Sequence, residues 1–283
     1  MRVFLAGATG VVGRRLVPRL LAAGHHVTAL TRHPDRAPAL HAAGAEPVVA
    51  DVFDLPAISA AVAAAHPDAV VHQLTDLADR DLGANAAIRE TGTTNLVEAA
   101  LAAGARRIVA QSICWAYVDG EPAAREDEPL DLQAPEPRGQ TVRAVAALEK
   151  AVGQAPEWVV LRYGLFYGPG TWYAPDGAIA AAARSGRLPA DRDVKSFVHV
   201  DDAAQAAVAA LTWPSGPVNV CDDEPAAGHE WVPVFAQVLG APPPPVTESP
   251  RAGWARGADN HHARSDLGWT PAHPTWRRSL GQA

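Results

Sequence analysis

Three glycines at intervals of three, Gly7, Gly10 and Gly13, follow the apolar run Val3 to Ala6 and open an amphipathic stretch. Residues of this type in this order do phosphate chemistry. Gly7 allows a tight backbone reversal, Gly10 lets backbone approach a pyrophosphate with no side chain between them, and Gly13 lets the new helix pack on the strand. The helix that starts there offers its unpaired N–H groups to an anion. The candidate phosphate-contacting set is therefore Gly7, Thr9, Gly10, Val11, Val12 and Gly13. The spacing is GxxGxxG, and a glycine-rich turn with no ligand is the competing reading. Its place between a predicted strand and a predicted helix favours nucleotide binding.

Residues after the later strands select among dinucleotides. Thr31 and Arg32 end the second predicted strand and Arg36 lies nearby. A neutral donor and two cations suit a 2′-phosphate, where a carboxylate would bond ribose hydroxyls and repel it. This predicts NADP(H), with NAD(H) as the alternative; solvated helix-start arginines are the other reading. Asp51 and Val52 follow the third strand, where a carboxylate accepts from an adenine amino group or caps a helix. His72, Gln73 and Leu74 end the fourth and would run beneath the cofactor's ribose, with His72 itself read as a packed histidine rather than a catalyst.

The elements that must position these residues are read from hydrophobic periodicity. Strands are predicted at residues 2–6, 27–30, 46–49, 69–72, 107–110 and 158–162, and helices at 11–23, 35–43, 55–65, 84–103 and 138–152. A further strand is expected near 218–220 and a helix near 231–239. The alternation predicts an α/β fold, a doubly wound parallel sheet whose right-handed crossovers bring all strand carboxyl ends to one rim. At 283 residues the chain is one large domain or a domain with a smaller lobe. A net charge of −7 argues against nucleic acid as the main partner, so an anionic cofactor needs local cations. Cys114 and Cys221 provide neither a disulfide framework nor zinc-ligand spacing, which predicts a reducing, cytoplasmic setting and no metal site. The first apolar run is far too short to span a membrane. A small molecule is the expected partner.

Several longer runs now bear on family. Gly7-Ala8-Thr9-Gly10-Val11-Val12-Gly13, Asp51-Val52, Gly92-Thr93-Thr94-Asn95-Leu96-Val97-Glu98-Ala99, Leu161-Arg162-Tyr163-Gly164-Leu165-Phe166-Tyr167-Gly168-Pro169-Gly170, Ser196-Phe197-Val198-His199-Val200-Asp201-Asp202-Ala203 and Leu267-Gly268-Trp269-Thr270-Pro271 occur in this order. Together they resemble the signature of the NAD-dependent epimerase/dehydratase family, the extended short-chain dehydrogenase/reductases, over nearly the whole chain. The resemblance implies a Rossmann domain over residues 1–165 and a mostly substrate-binding lobe over 166–283, with 196–212 returning to the first. By position it also implies Tyr163 as a cofactor neighbour. A homodimer through the alanine-rich helices 84–103 and 138–152 is expected on the same ground.

The chain departs from that family where the chemistry is done. The family's usual reaction depends on a Ser or Thr after the fifth strand and a Tyr-x-x-x-Lys on the next long helix, whose lysine lowers the phenol's pKa for proton exchange with the substrate oxygen. Here only two lysines exist, Lys150 and Lys195, and none of Tyr117, Tyr163, Tyr167 and Tyr173 has a lysine four residues on. Alignment on Glu149 puts Thr141 at the tyrosine position and Val145 at the lysine position. The family's asparagine before Gly92-Thr93 is replaced by Arg89 or Glu90. Such acid–base help is worth about a hundred- to ten-thousandfold. The remaining catalytic candidates are Ser112, to orient a substrate oxygen, and Tyr117, to supply a proton; aromatic packing is the other reading of Tyr117. Cys114 has no activating neighbour and reads as packing.

Trp115, Thr141, Tyr167, Trp172 and Tyr173 are the candidate substrate residues. A Gly168-Pro169-Gly170 turn with aromatics on both sides makes a stiff apolar wall for a flat or hydrophobic substrate, with aromatic core as the alternative. His199 and Asp202 read as structural ties. Arg251, Arg256, Asn260, His261 and His262 form a polar, basic stretch read as a solvated loop. Three readings of function stand at this point. The first is an oxidoreductase moving hydride between NADP(H) and a carbonyl or alcohol carbon of a small substrate. The others are a non-catalytic NADP(H)-binding sensor or scaffold, and a nucleotide-sugar type epimerase with a substitute acid and base.

Overall fold

A computed structural model describes residues 1–77 and 81–281. The strands are β1 (Arg2–Ala6), β2 (His26–Thr31), β3 (Glu46–Val49), β4 (Ala69–His72), β5 (Arg107–Ile113), β6 (Glu157–Tyr163), β7 (Leu165–Tyr167), β8 (Val194–Lys195), β9 (Phe197–His199), β10 (Gly216–Val220) and β11 (Ala226–Ala227). The helices are α1 (Gly13–Ala22), α2 (Ala37–Ala42), α3 (Leu55–Ala65), α4 (Leu82–Ala87), α5 (Thr93–Ala102), α6 (Arg138–Val152), α7 (Ala178–Arg184), α8 (Val200–Ala209) and α9 (Gly228–Val238). A seven-stranded sheet has the order β10-β6-β5-β4-β1-β2-β3. Val3 pairs in parallel with Val27 on one side of β1 and Ala69 on the other, and every side chain from Val3 to Ala6 is buried. Strands buried on both faces need continuous apolar runs, which is what these segments carry.

Two compact units result. One comprises Met1–Ser112, Leu132–Leu161 and Ala204–Pro217; the other comprises Ile113–Asp131, Arg162–Ala203 and Val218–Ala283. The segment after β5 thus groups with the second unit, and the returning segment is Ala204–Pro217 in place of the expected 196–212. The first unit's core includes Phe4, Val70, Leu96, Ile108 and Val160. The second unit's core is aromatic, built on Tyr167, Tyr173, Phe197, Trp231, Phe235 and Trp276. No helix among the described residues is long and apolar enough to cross a membrane.

Two local departures from the expected elements bear on the site. The expected helix over 84–103 is broken by a π-turn at Ile88–Gly92. There the Thr93 hydroxyl donates to the Ile88 carbonyl at 3.2 Å, and Gly92 lies so close to Val52 that a Cβ would come within 3.0 Å of its methyl. The expected helix over 35–43 opens as a 3₁₀ turn, Pro34–Arg36, before α2.

Candidate cofactor and active site

The three glycines divide their duties. Gly7 has φ +93°, and a Cβ there would sit 2.5 Å from the Gln73 carbonyl oxygen; at Gly13 it would sit 2.1 Å from the Gly7 carbonyl oxygen. Both are required by the close approach of strand, turn and helix. At Gly10 a Cβ would meet only the Gly7 carbonyl oxygen, at 3.3 Å, so its outer side is open. The N-terminus of α1 has neither a capping side chain nor an acid in its first turn. Its Arg14, Arg15 and Leu16 amides bond the Gly10 and Val12 carbonyls, so what it leaves for a phosphate is the Gly13 amide and the helix dipole.

Around this turn stand the other expected cofactor residues. The Arg36 guanidinium donates to the Thr9 hydroxyl at 3.4 Å, which brings it over the glycine turn. Arg32 pairs with Asp76 at 3.3 Å, and Thr31 Oγ1 accepts from the His33 amide at 3.1 Å. Asp51 accepts from the Phe53 amide at 3.0 Å, and the Val52 carbonyl accepts from Asn95 Nδ2 at 2.9 Å. His72 is a strut. Its Nδ1 accepts from the Leu74 amide at 3.2 Å, which leaves Nε2 protonated to donate to Thr93 Oγ1 at 2.8 Å. Burial, and then the Arg89 charge, take its pKa down to about 4, so the ring is neutral. Beside it, Gln73 is buried with neither side-chain polar atom hydrogen-bonded among the described residues. An open glycine cradle, an uncapped helix and an orphaned amide at the end of β4 fit a dinucleotide.

At the end of β5, Ser112 is buried and donates to Glu149 Oε1 on α6 at 2.8 Å. Thr141 and Val145, where the family's acid and its lysine would stand, are buried on the same helix. In the sequence Glu149 serves only as an alignment marker, and nothing there pairs it with Ser112. Arg89 reads there only as a departure from the family, yet it is the most unusual charge in the unit. It lies on the π-turn, which packs on α6, is 5% exposed, and has no hydrogen bond or ion pair among the described residues. Burial lowers its pKa to about 10. The available signal is an arginine with no carboxylate three or four residues away along the helix, where Asn85, Ala86, Gly92 and Thr93 stand.

The second unit holds the remaining candidates. Tyr117 is buried, donates to Asn219 Oδ1 at 2.7 Å and accepts from Arg162 Nη1 at 2.9 Å, while burial pushes its phenol well up. That arrangement makes a structural post, and the proton-donor role expected of Tyr117 has no geometric support. The Tyr163 hydroxyl donates to the Ala203 carbonyl at 3.1 Å. Tyr167 and Tyr173, expected at the substrate, instead pack edge-on against Phe197 within the aromatic core. Trp172 is 37% exposed. Trp115 lines a cavity of about 200 Å³ together with Trp254, Leu165, Val194 and Lys195. Cys114 also lines it, with burial pushing its thiol up to about 12, which fits the inert reading.

The basic stretch is not a solvated loop. Arg256 is buried in an ion pair with Glu128, Arg251 pairs with Glu121, and Asn260 donates to the Cys221 carbonyl at 2.9 Å. Asp202 accepts from the Ala272 and His273 amides at 2.9 Å and meets His273 Nδ1 at 3.0 Å, while the His199 and His273 rings stack at 3.7 Å. With its oxygens so engaged and the rings face to face, this trio works as a tie.

Sheet order, glycine turn and uncapped helix define a Rossmann-type dinucleotide-binding protein. The NAD dependent epimerase/dehydratase family model matches residues 3–221, and the chain belongs to that family. It is 48% identical, over 100% of both chains, to 3-diazoavenalumate denitrifying reductase from a Streptomyces species. It is 29% identical to UDP-glucose 4-epimerase of Mycolicibacterium smegmatis over 96% of this chain and 94% of that one. Among solved structures, the Thermus thermophilus UDP-glucose 4-epimerase complex with NAD matches with a TM-score of 0.74 at 26% identity, covering 96% of this chain and 94% of that chain. The function is accordingly of the NAD(P)-dependent oxidoreductase and epimerase type, with a nicotinamide dinucleotide as cofactor.

Proposed function

We propose that the protein is an NADPH-dependent reductase that replaces the diazo group of a small aromatic substrate with hydrogen and releases dinitrogen. The observation that carries this reading is the face of α6, where buried Thr141 and Val145 stand in place of the family's acid and its lysine. Carbonyl reduction leaves an alkoxide that needs a proton; loss of dinitrogen does not. The full-length relative named for a diazo substrate supplies the reaction class. The dinucleotide, when bound, supplies a hydride whose electron pair forms the new ring C–H bond as the C–N bond breaks with its pair onto departing dinitrogen, and no proton is taken up.

The residues at the end of β5 suit that chemistry. Ser112 donates its hydrogen bond to Glu149, which leaves the hydroxyl oxygen as an acceptor beside a carboxylate. Negative charge there favours a cationic diazonium and opposes an alkoxide, the reverse of a Tyr–Lys pair. Preference for NADPH over NADH is supported by Arg36 over the glycine turn and by the lack of a carboxylate at the end of β2. The same reading includes a homodimer through α4, α5 and α6 in the reducing cytoplasm, which light scattering on the purified protein would check for assembly. The decisive experiment supplies NADPH deuterated at nicotinamide C4 with a ¹⁵N-labelled arenediazonium carboxylate. Deuterium on the ring carbon with stoichiometric labelled dinitrogen is expected. Reduction of carbonyl compounds without turnover of any diazo compound overturns the proposal.

A further inference from the structure

The cavity in the second unit is small and chemically lopsided. At about 200 Å³ it falls below the roughly 300–1,000 Å³ of pockets that take drug-sized ligands, which limits an occupant to about one ring with short substituents. Two indoles form part of its wall, Trp115 and Trp254, with ring centroids 6.3 Å apart and planes tilted by 50°. Leu165 and Val194 add aliphatic surface. Such a wall favours a planar, π-bearing occupant over a sugar, whose hydroxyls would lose water and gain no partners.

The polar groups of that wall are mostly spoken for. Ser196 Oγ accepts from the Ala258 amide at 2.9 Å and donates to the Ala258 carbonyl at 3.3 Å. Cys114 is a neutral thiol. Lys195 differs. It is half-buried on β8, and its ammonium has no hydrogen bond or ion pair among the described residues. Elsewhere in the same unit Arg256 and Arg251 are matched by Glu128 and Glu121. A half-buried lysine without a counter-charge among the described residues, on a largely apolar wall that carries two indoles, calls for an anion on the ligand.

We propose that this cavity is the binding site for a planar aromatic carboxylate, with the ring against Trp115 and Trp254 and the carboxylate paired with Lys195. This deepens the proposed function by naming the substrate class, and rests on it only in treating the occupant as the substrate. Lys195 is then the residue that separates aromatic acids from their neutral analogues.

The test is binding, with no turnover. Cinnamate and its neutral isostere cinnamamide are titrated by isothermal calorimetry into the full-length protein, with and without NADP⁺. Cinnamate is expected to bind more tightly than the amide. Lys195→Met should cost about tenfold to a hundredfold in affinity for cinnamate and leave the amide within about twofold, while Lys195→Arg keeps most of the discrimination. Trp254→Leu should weaken both ligands. Thermal melts of each variant confirm folding, and the acid-to-amide ratio is read within each protein, so lost stability does not mimic the effect. Equal affinity of wild type for acid and amide, no binding of either, or an unchanged ratio in Lys195→Met overturns the proposal. Because neither probe carries a diazo group, diazo turnover without acid binding refutes this inference alone, and acid binding without diazo turnover refutes the reductase reading alone.

Discussion

Replacing Arg89 with Met removes a buried cation that no described residue neutralises. Arg89 as a residue is 5% exposed, and burial takes its pKa down to about 10. That depression corresponds to about 3 kcal/mol, at about 1.4 kcal/mol for each tenfold change in proton affinity, and is the free energy by which the fold resists the charge. Met matches the length of the aliphatic stem, is a good helix former and brings no charge. Apo Arg89→Met is therefore expected to be more stable than wild type by up to about 3 kcal/mol in urea unfolding. A ligand at about a hundred times its Kd stabilises the wild type by about 2.7 kcal/mol. NADP⁺ should stabilise the variant by less, because an uncompensated cation in the cofactor half is worth keeping only when an anionic ligand matches it. His72 gives a separate readout. Its pKa of about 4 is set first by burial and then by the Arg89 charge, so its ring should titrate higher by NMR in the variant. An apo variant less stable than wild type by more than about 1 kcal/mol would refute the reasoning, since it would mean that the guanidinium is well satisfied where it lies.

Other substitutions separate structural from functional roles. Gly10→Ala should fold normally and lose about tenfold or more in NADP(H) affinity by fluorescence titration, whereas Gly13→Ala, with a Cβ 2.1 Å from a carbonyl oxygen, should fail to give folded protein by circular dichroism. A Gly10→Ala protein with unchanged affinity would remove the phosphate role from the turn. Tyr117→Phe should cost about 1–3 kcal/mol, by leaving Asn219 and Arg162 a partner short, with kcat unchanged; a fall in kcat of about a hundredfold would restore Tyr117 as proton donor. Asp222 is buried, and its pKa is raised from 3.8 to about 8, chiefly by burial. The folded state holds a proton that the unfolded state has released, so the stability contribution is complete below about pH 4 and is lost as pH rises to about 8, at about 1.4 kcal/mol per pH unit. Asp222→Asn should thus gain on wild type by about 4 kcal/mol between pH 4 and pH 7 in urea titrations, and parallel pH profiles would show that the buried carboxyl is not the cause.

The bounds of β1, β3, β4, α3 and α6 are legible in the sequence to the residue, because each is an apolar or amphipathic run with Gly, Pro or Asp punctuation at its ends. The π-turn at Ile88–Gly92 is not, since its cause is tertiary: Thr93 is held by His72, twenty-one residues earlier, and Gly92 by Val52. The glycine turn is legible for a related reason, in that backbone geometry constrains residue type at fixed spacing. Side-chain pairs formed across the fold leave no such trace. Ser112 meets Glu149 from 37 residues away and Arg256 meets Glu128 from 128 away, so a hydroxyl that reads as a free donor is committed and a loop that reads as solvated is an ion-paired wall. Tyr167 and Tyr173 are ambiguous in sequence between pocket and core, and only packing against Phe197 decides.

The loss of the family's acid–base pair narrows the chemistry more than the fold does. Epimerisation and carbonyl reduction both pass through an oxygen that must gain or lose a proton, and a phenol does this only if a neighbouring cation brings its pKa down. Here the hydroxyls of Tyr117, Tyr163 and Tyr167 each donate to another group of the protein, and burial moves Tyr117, Tyr167 and Tyr173 the wrong way. The strand end that would face an alkoxide carries Ser112 bonded to a carboxylate instead. A hydride acceptor suited to those surroundings starts cationic and loses its charge as it reacts, with a leaving group that departs unprotonated. A diazonium does both, and a ketone does neither. The same electrostatics bars a return to the family's usual chemistry by one substitution: Thr141→Tyr without Val145→Lys would bury another phenol with its pKa raised.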